Sequence, residues 1–365
     1  MMIRAKLLKP HRWLGLGFAA LLFVQGCSGV VVAFRDEFNR ALHSAALTVT
    51  PAVSTLAMQA LTDRVRALHP ELGIERIDYP KRADAAYVFR MQAADGAKLR
   101  FIAVDPYTGA ITRDEPVSRW PVQWLFKLHE QLLAGPTGHI IVGIGAIALL
   151  FFTITGPWMW WPGRRFLRRG LTVSLNNGAY RGLRDVHRVG GAVASLVLFI
   201  SACTGIVLVW LSSFQSFVGT FATVAPRPSP PAIAHTDASL LPIDTVIARA
   251  REQIGDAPIK SVRFRAQDRV VAVYSVDVSN TRPRATNQIL LNGYTGEILG
   301  SYDASVAPLA NRTLDWALPI HTGEFLGLPG RVLWLLAALA LQALAITGLL
   351  QWWQRRQRRR TVTGQ

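Results

Sequence analysis

Four long apolar runs divide the chain, at residues 13–34, 138–161, 187–211 and 328–353. Each reaches the roughly 20 residues that a helix needs to cross a bilayer and carries almost no formal charge. Trp160, Trp161, Trp210, Trp352 and Trp353 stand at run ends, where amphipathic rings favour the headgroup level. The two long segments between runs have a different period. In the first, helical spacing over 54–68 precedes strand-like runs at 74–79, 86–91 and 99–104. A tight turn, Asp105-Pro106-Tyr107-Thr108-Gly109, and another strand follow. The second repeats the order, with a helix over 243–254, strands at 259–265, 270–276 and 288–291, and the turn Asn292-Gly293-Tyr294-Thr295-Gly296. A Pro-rich linker at 225–231 leads into it. The pattern predicts an α-helical membrane protein with two small outer α+β domains. Its pieces are an N-terminus and first span (1–34), an outer domain (35–137), a second span (138–161) and a loop (162–186). A third span (187–211), a second outer domain (212–327), a fourth span (328–353) and a tail (354–365) complete it.

Composition agrees. Of 365 residues, 50% are hydrophobic and only 17% charged, against about 25% charged in soluble domains. This excludes a disordered chain and argues against a soluble enzyme. The two cysteines make no C-x-x-C pair, which removes a disulfide scaffold, a zinc site of that kind and covalent haem attachment. The net charge of +17 is unevenly placed. Arg4, Lys6, Lys9 and Arg12, then Arg164, Arg165, Arg168, Arg169, Arg181, Arg184 and Arg188, then Arg355, Arg356, Arg358, Arg359 and Arg360 share their segments with one acid, Asp185. The positive-inside rule therefore puts both termini and the middle loop in the cytoplasm and the other two segments outside. The charge reads as a topology signal, so nucleic acid is not an expected partner; the lipid bilayer is. Val24-Gln25-Gly26-Cys27 approximates a lipoprotein cleavage site, but an internal repeat accounts for that cysteine.

His11-Arg12-Trp13-Leu14-Gly15 matches His187-Arg188-Val189-Gly190-Gly191, and Cys27-Ser28-Gly29 matches Cys203-Thr204-Gly205, all at an offset of 176. Likewise His129, Gly135, Gly138, Thr155-Gly156 and Trp160-Trp161 match His321, Gly327, Gly330, Thr347-Gly348 and Trp352-Trp353 at an offset of 192. The chain reads as two pseudo-symmetric repeats related by an axis along the membrane normal. Four of eight histidines occupy matched positions, and such an axis makes His11 face His187 and His129 face His321. Two neutral imidazoles from facing helices are the axial ligands of a b-type haem, so two haem b groups are expected. Arg12 and Arg188 suit haem propionates, and Gly15, Gly17, Gly143, Gly145, Gly190 and Gly191 leave room for a flat ring. Each feature also has a plainer reading: histidines as interface anchors, glycines for helix packing, arginines as topology determinants, and Cys27 and Cys203 as small packing residues. His139 is an alternative outer ligand, with Arg331 in the matched place. His43, His69 and His235 read as surface residues. Trp120, Trp124 and Trp316 read as interface anchors, or, with Arg119 and Arg312, as contacts for an anionic chelate.

Span, small domain ending in a D-P-x-T-G turn, span, twice over, resembles the PepSY-associated transmembrane protein family across nearly the whole chain. The residues that carry the likeness are His11-Arg12…Gly15, Leu128-His129…Gly135…Gly138, Asp105 to Gly109, His187-Arg188…Gly191 and His321…Gly327…Trp352-Trp353. In the second turn Asn292-Gly293 replaces Asp-Pro, so the turn reads as structural. The resemblance implies PepSY-like outer domains in the periplasm, a bacterial inner-membrane location and regulation by iron. For some members it implies a two-haem reductase of ferric siderophores. On that reading the chain is an oxidoreductase that takes electrons from a cytoplasmic reductant or quinol and reduces a periplasmic ferric chelate to release iron. The other readings are a noncatalytic peptide- or protease-binding regulator, and a metal-uptake transporter or accessory subunit. Transport finds little support in span centres that offer only Gln25, Cys27, Thr153, Ser195, Ser201, Cys203 and Gln342.

Overall fold

The computed structural model describes residues 2–93, 96, 99–174, 178–235, 237–265, 269–276 and 285–363. The side chains of Arg359 and Arg360 lie outside the described residues. The chain divides into two compact units, one of residues 1–34, 125–216 and 316–365, the other of 35–124 and 217–315.

The first unit holds four long helices, Met2–Ala33, Gly135–Trp160, Ala179–Val209 and Gly327–Thr363, called here the first to fourth spans. All four are long and apolar enough to cross a membrane. Their burial runs opposite to that of a soluble bundle. The second span exposes Ile140, Ile141, Ile144, Ile147 and Ile154 and buries Gly138, Gly143, Gly145, Ala148, Thr153 and Thr155. Large apolar groups outside and small or hydroxylated ones inside suit a lipid solvent, where close helix approach replaces hydrophobic burial. Close packing joins the first span to the second, the second to the third, the third to the fourth and the fourth back to the first. The first and third spans therefore face each other across the middle, as do the second and fourth.

Two short helices, Pro121–Gln131 and Ala317–Thr322, also belong to this unit in large part and bear His129 and His321. The sequence boundaries at 137 and 327 put both histidines in the outer segments; the structure packs them with the spans. A sharp reversal after each makes this possible. A Cβ on Gly138 would strike the Gln131 carbonyl, and one on Gly330 would strike the Gly323 carbonyl. Both the glycines and the carbonyls stand in matched positions at the offset of 192. Leu132 and Leu133, at φ 51° and 58°, complete the first reversal, a left-handed backbone that costs about 1–2 kcal/mol per non-glycine residue.

The second unit is one antiparallel sheet of eight strands: β1 (Gly73–Asp78), β2 (Tyr87–Gln92), β3 (Leu99–Val104), β4 (Ile111–Pro116), β5 (Ile259–Arg265), β6 (Val270–Ser275), β7 (Asn287–Asn292) and β8 (Ile298–Tyr302). Their order is β4-β3-β2-β1-β5-β6-β7-β8. Each expected outer domain supplies four strands, and β1 and β5 join the two sets edge to edge. Helices Met58–Leu68 and Ile243–Ile254 pack on one face, where Leu61, Val65, Val246 and Ala250 meet Ile77, Phe89, Ile102, Val262 and Leu291. The first helix begins at Met58 rather than at 54 because the Asp244 carboxylate accepts the Met58 and Gln59 backbone N–H groups, both at 2.9 Å. The Gln59 side chain in turn accepts the Ile243 N–H at 2.7 Å. Asp105 and Asn292 each accept the N–H two residues on, at 2.8 and 2.9 Å, and Gly109 and Gly296 share φ 71°. Either side chain supplies the same turn acceptor, and Asp105 adds a second oxygen that accepts the Thr108 hydroxyl at 2.8 Å.

Three surface expectations fail here. His43 is buried, with Nδ1 accepting from Arg113 at 2.8 Å and its ring against Trp120. Trp120 is only 3% exposed, so it anchors the domain interior and is not a surface aromatic. His69 is half-buried and bonds Asp114 at 2.8 Å.

Candidate functional site

The four matched histidines come together as two pairs. His11, on the first span, and His187, on the third, line one cavity of about 470 Å³ with Arg12, Arg188, Gly15 and Gly191. His129 and His321 stand opposite each other, with ring centroids 6.3 Å apart and planes tilted by 52°.

All four rings are held in one way. His11 Nδ1 lies 2.8 Å from Thr155 Oγ1 and His187 Nδ1 lies 3.0 Å from Thr347 Oγ1. His129 Nδ1 lies 3.1 Å from Ser28 Oγ and His321 Nδ1 lies 3.0 Å from Thr204 Oγ1. Each hydroxyl already donates its one proton to the carbonyl four residues back: Val24, Phe151, Ile200 and Ala343, at 2.7–2.8 Å. A hydroxyl so committed can only accept, so Nδ1 must carry the imidazole proton. His129 and His321 have a second acceptor in the Gln25 and Ser201 carbonyls. Nε2 is then the unprotonated nitrogen in all four rings, the state in which imidazole ligates a metal. Burial holds His129 neutral, down to about 4, with His321 adding to the effect, and burial lowers His321 as well.

A glycine follows each hydroxyl and makes room for the ring. A Cβ on Gly29 would sit 3.1 Å from His129 Cε1, and one on Gly205 would sit 3.2 Å from His321 Cε1. Of the six glycines expected to leave room for a ring, Gly143 and Gly145 pack against Trp210 and Leu21 instead, and the sequence gives the matched S/T-G pairs no role. Their recurrence at the repeat offsets was the available signal.

Arg12 and Arg188 each have a buried Nε without a hydrogen-bond partner. Arg188 also reaches the Thr172 carbonyl at 3.1 Å and Asp185 at 3.4 Å. His139 does not join a pair. Its Nδ1 is 3.1 Å from the Glu130 carbonyl and its Nε2 is 3.1 Å from the Val209 carbonyl, so both ring nitrogens face backbone carbonyls. Its matched residue, Arg331, donates to the Ala33 carbonyl at 3.1 and 2.7 Å. Val209 and Ala33 are themselves matched at the offset of 176 and end their spans. His139 and Arg331 are thus equivalent ties from one span to the carbonyl end of a neighbour, where the helix dipole favours positive charge. Cys27 and Cys203 are free and half-buried.

The family model for the PepSY-associated TM region matches residues 8–355. The chain belongs to this family. It is a multi-pass membrane protein with a PepSY-like domain. No curated protein matches the chain. In this PepSY-associated transmembrane protein the matched span covers all four histidines, their hydroxyl partners, Arg12 and Arg188.

Proposed function

We propose that this protein is a two-haem electron conduit of the bacterial inner membrane that reduces a ferric chelate, of the siderophore class, on the periplasmic side. The observation that carries the reading is the shared state of the four histidines, each with Nδ1 tied to a spent hydroxyl and Nε2 left free.

Several features of the residues fit haem. His129 and His321, ring centroids 6.3 Å apart, would hold a haem iron through their unprotonated Nε2 atoms. Haem iron would ask the protein for two imidazoles, and each histidine pair offers two. The cavity of about 470 Å³ between His11 and His187 is edged by Gly15, Gly156, Gly191 and Gly348. Arg12 and Arg188 line that region, each with a buried Nε lacking a partner, and their guanidinium groups suit carboxylates bidentately.

When bound, haem supplies one-electron transfer at iron. The rest is the work of the chain. The hydroxyls fix ring orientation and raise Nε2 basicity through the Nδ1–H bond. Phe152, edge-on to His11 at 5.1 Å, and Met159 line the inner site and keep water from it. Lys/Arg bias supports a cytoplasmic inner pair and a periplasmic sheet unit. One electron from a cytoplasmic reductant or quinol converts ferric to ferrous iron, which oxygen-rich chelators hold less tightly.

Vesicles loaded with dithionite and presented with ferric citrate and a ferrous-specific dye outside test this reading. Dye colour should appear only with the protein present and should vanish for His129→Ala. A rate in His129→Ala and His321→Ala equal to that of the wild type would remove it.

A further inference from the structure

The sheet face away from the helices carries a cationic cluster that the electron-transfer reading leaves unused. Arg76 of β1 is directly opposite Arg90 of β2 and Arg263 of β5. Directly opposed residues share a face, so three arginines lie side by side across the middle of the sheet. Ile77 and Val262 alternate to the other side and pack on the helices. Glu115 of β4, which pairs with Arg119, is on this face by the same rule, and so is Asp78, two residues along from Arg76. Asp78 pairs with Arg76, and with Arg90 Nε at 2.8 Å. Arg263 lies over the Tyr274 ring at 4.4 Å and has no carboxylate partner among the described residues. Three guanidinium groups thus share one carboxylate.

The cluster is half-buried: the Arg76 and Arg90 side chains are 19% and 17% exposed. Burial pushes the Arg76 guanidinium down to about 10; Asp78 pulls it up, and Arg90 and Arg263 push it further down. Arginine stays charged in proteins, so such a site calls for a counter-anion. Its donors are also unspent. Arg76 Nε and Arg263 Nε are buried with no hydrogen-bond partner. So is the hydroxyl of Ser261, a residue 1% exposed that stands directly opposite Asp78 on the same face. A buried donor left unpaired costs stability, and a buried cation without its counter-charge costs more.

We propose that Arg76, Arg90, Arg263 and Ser261 form an oxyanion site that takes the carboxylate or phosphate oxygens of a small polyanion. Guanidinium forks match the planar geometry of a carboxylate and the oxygens of a phosphate, and the Ser261 hydroxyl adds a fourth donor. The site depends on no haem.

Thermal unfolding of the full-length protein in detergent at low ionic strength tests the site, with citrate and inorganic phosphate as probes. Citrate or phosphate should raise the Tm of the wild type. Arg263→Gln should bind the probe roughly tenfold more weakly, whereas Arg249→Gln, a surface arginine paired with Glu252, should keep the full shift. Without anion, Arg263→Gln should be at least as stable as the wild type, because it removes an uncompensated charge. Arg263→Lys, which keeps the charge and loses the fork, and Ser261→Ala give the same reading if Arg263→Gln does not fold. If the natural source is a lipid headgroup, phosphatidylglycerol in phosphatidylcholine vesicles should raise Tm in an Arg263-dependent way while the free anions do not. No shift from any of these anions in the wild type, or equal shifts in Arg263→Gln and Ser261→Ala, would overturn the proposal.

Discussion

Each histidine is positioned by one hydroxyl whose own proton is already spent on its helix. Thr155 Oγ1 meets His11 Nδ1 at 2.8 Å and donates to the Phe151 carbonyl at the same distance. Replacing the hydroxyl by a methyl keeps the volume and deletes the acceptor. Thr204→Val should therefore leave the spans packed and weaken haem retention at the outer pair by roughly 10–100-fold, the usual effect of losing a ligand's outer partner. Redox titration of the variant should also give a more positive midpoint, since a less basic imidazole favours ferric iron less; an unchanged midpoint with full occupancy would contradict the role. Gly205→Ala asks a steric question at the same ring, because the added Cβ would lie 3.2 Å from His321 Cε1. The expected result is lowered outer-site occupancy without loss of the inner site. The histidines themselves were legible, since matched offsets of 176 and 192 single out four of eight. Their partners were not. A bond such as His11 to Thr155 joins residues 144 apart, and no local period reports it. His43 misled for the converse reason: nothing in its flanking residues announces Arg113 and Trp120.

Turns and caps decide where the histidine-bearing helices can sit. The reversals that dock His129 and His321 depend on Gly138 and Gly330, whose missing Cβ atoms make room for the Gln131 and Gly323 carbonyls. Gly330→Ala should displace the helix Ala317–Thr322 and lower Tm by several degrees, about what a loss of 1–3 kcal/mol produces. In the sheet unit, Asp244→Ala removes the acceptor for two N–H groups at the start of the helix Met58–Leu68. Chemical unfolding should register a loss of about 1–2 kcal/mol, and Asp244→Asn should recover part of it. Strand positions followed from alternation, so β3 and β5 fall where the pattern puts them. The start of the first sheet-unit helix did not, because its cap arrives from 186 residues away.

On the scale of the whole chain, the four spans pack in a ring of neighbours. The first and third spans, which bear His11 and His187, therefore look across a gap rather than at a packed interface, and the cavity lies there. The spans were readable from hydropathy, and sixteen basic residues against one acid carry the expected orientation. The pairing of β1 with β5, which merges two outer segments into one sheet, was not readable, because edge strands carry no label for a partner nearly two hundred residues distant. The central claim is two bis-histidine haem sites, and haem stoichiometry tests it most directly. Absorption spectra of the purified protein, oxidised and then dithionite-reduced, with pyridine-haemochrome quantification should give about two haems per chain, as two axial pairs require. The double variant His129→Ala, His321→Ala should give about one, with the His11–His187 site retained. A colourless wild-type protein that takes up no added haem, or full occupancy in the double variant, would contradict the account.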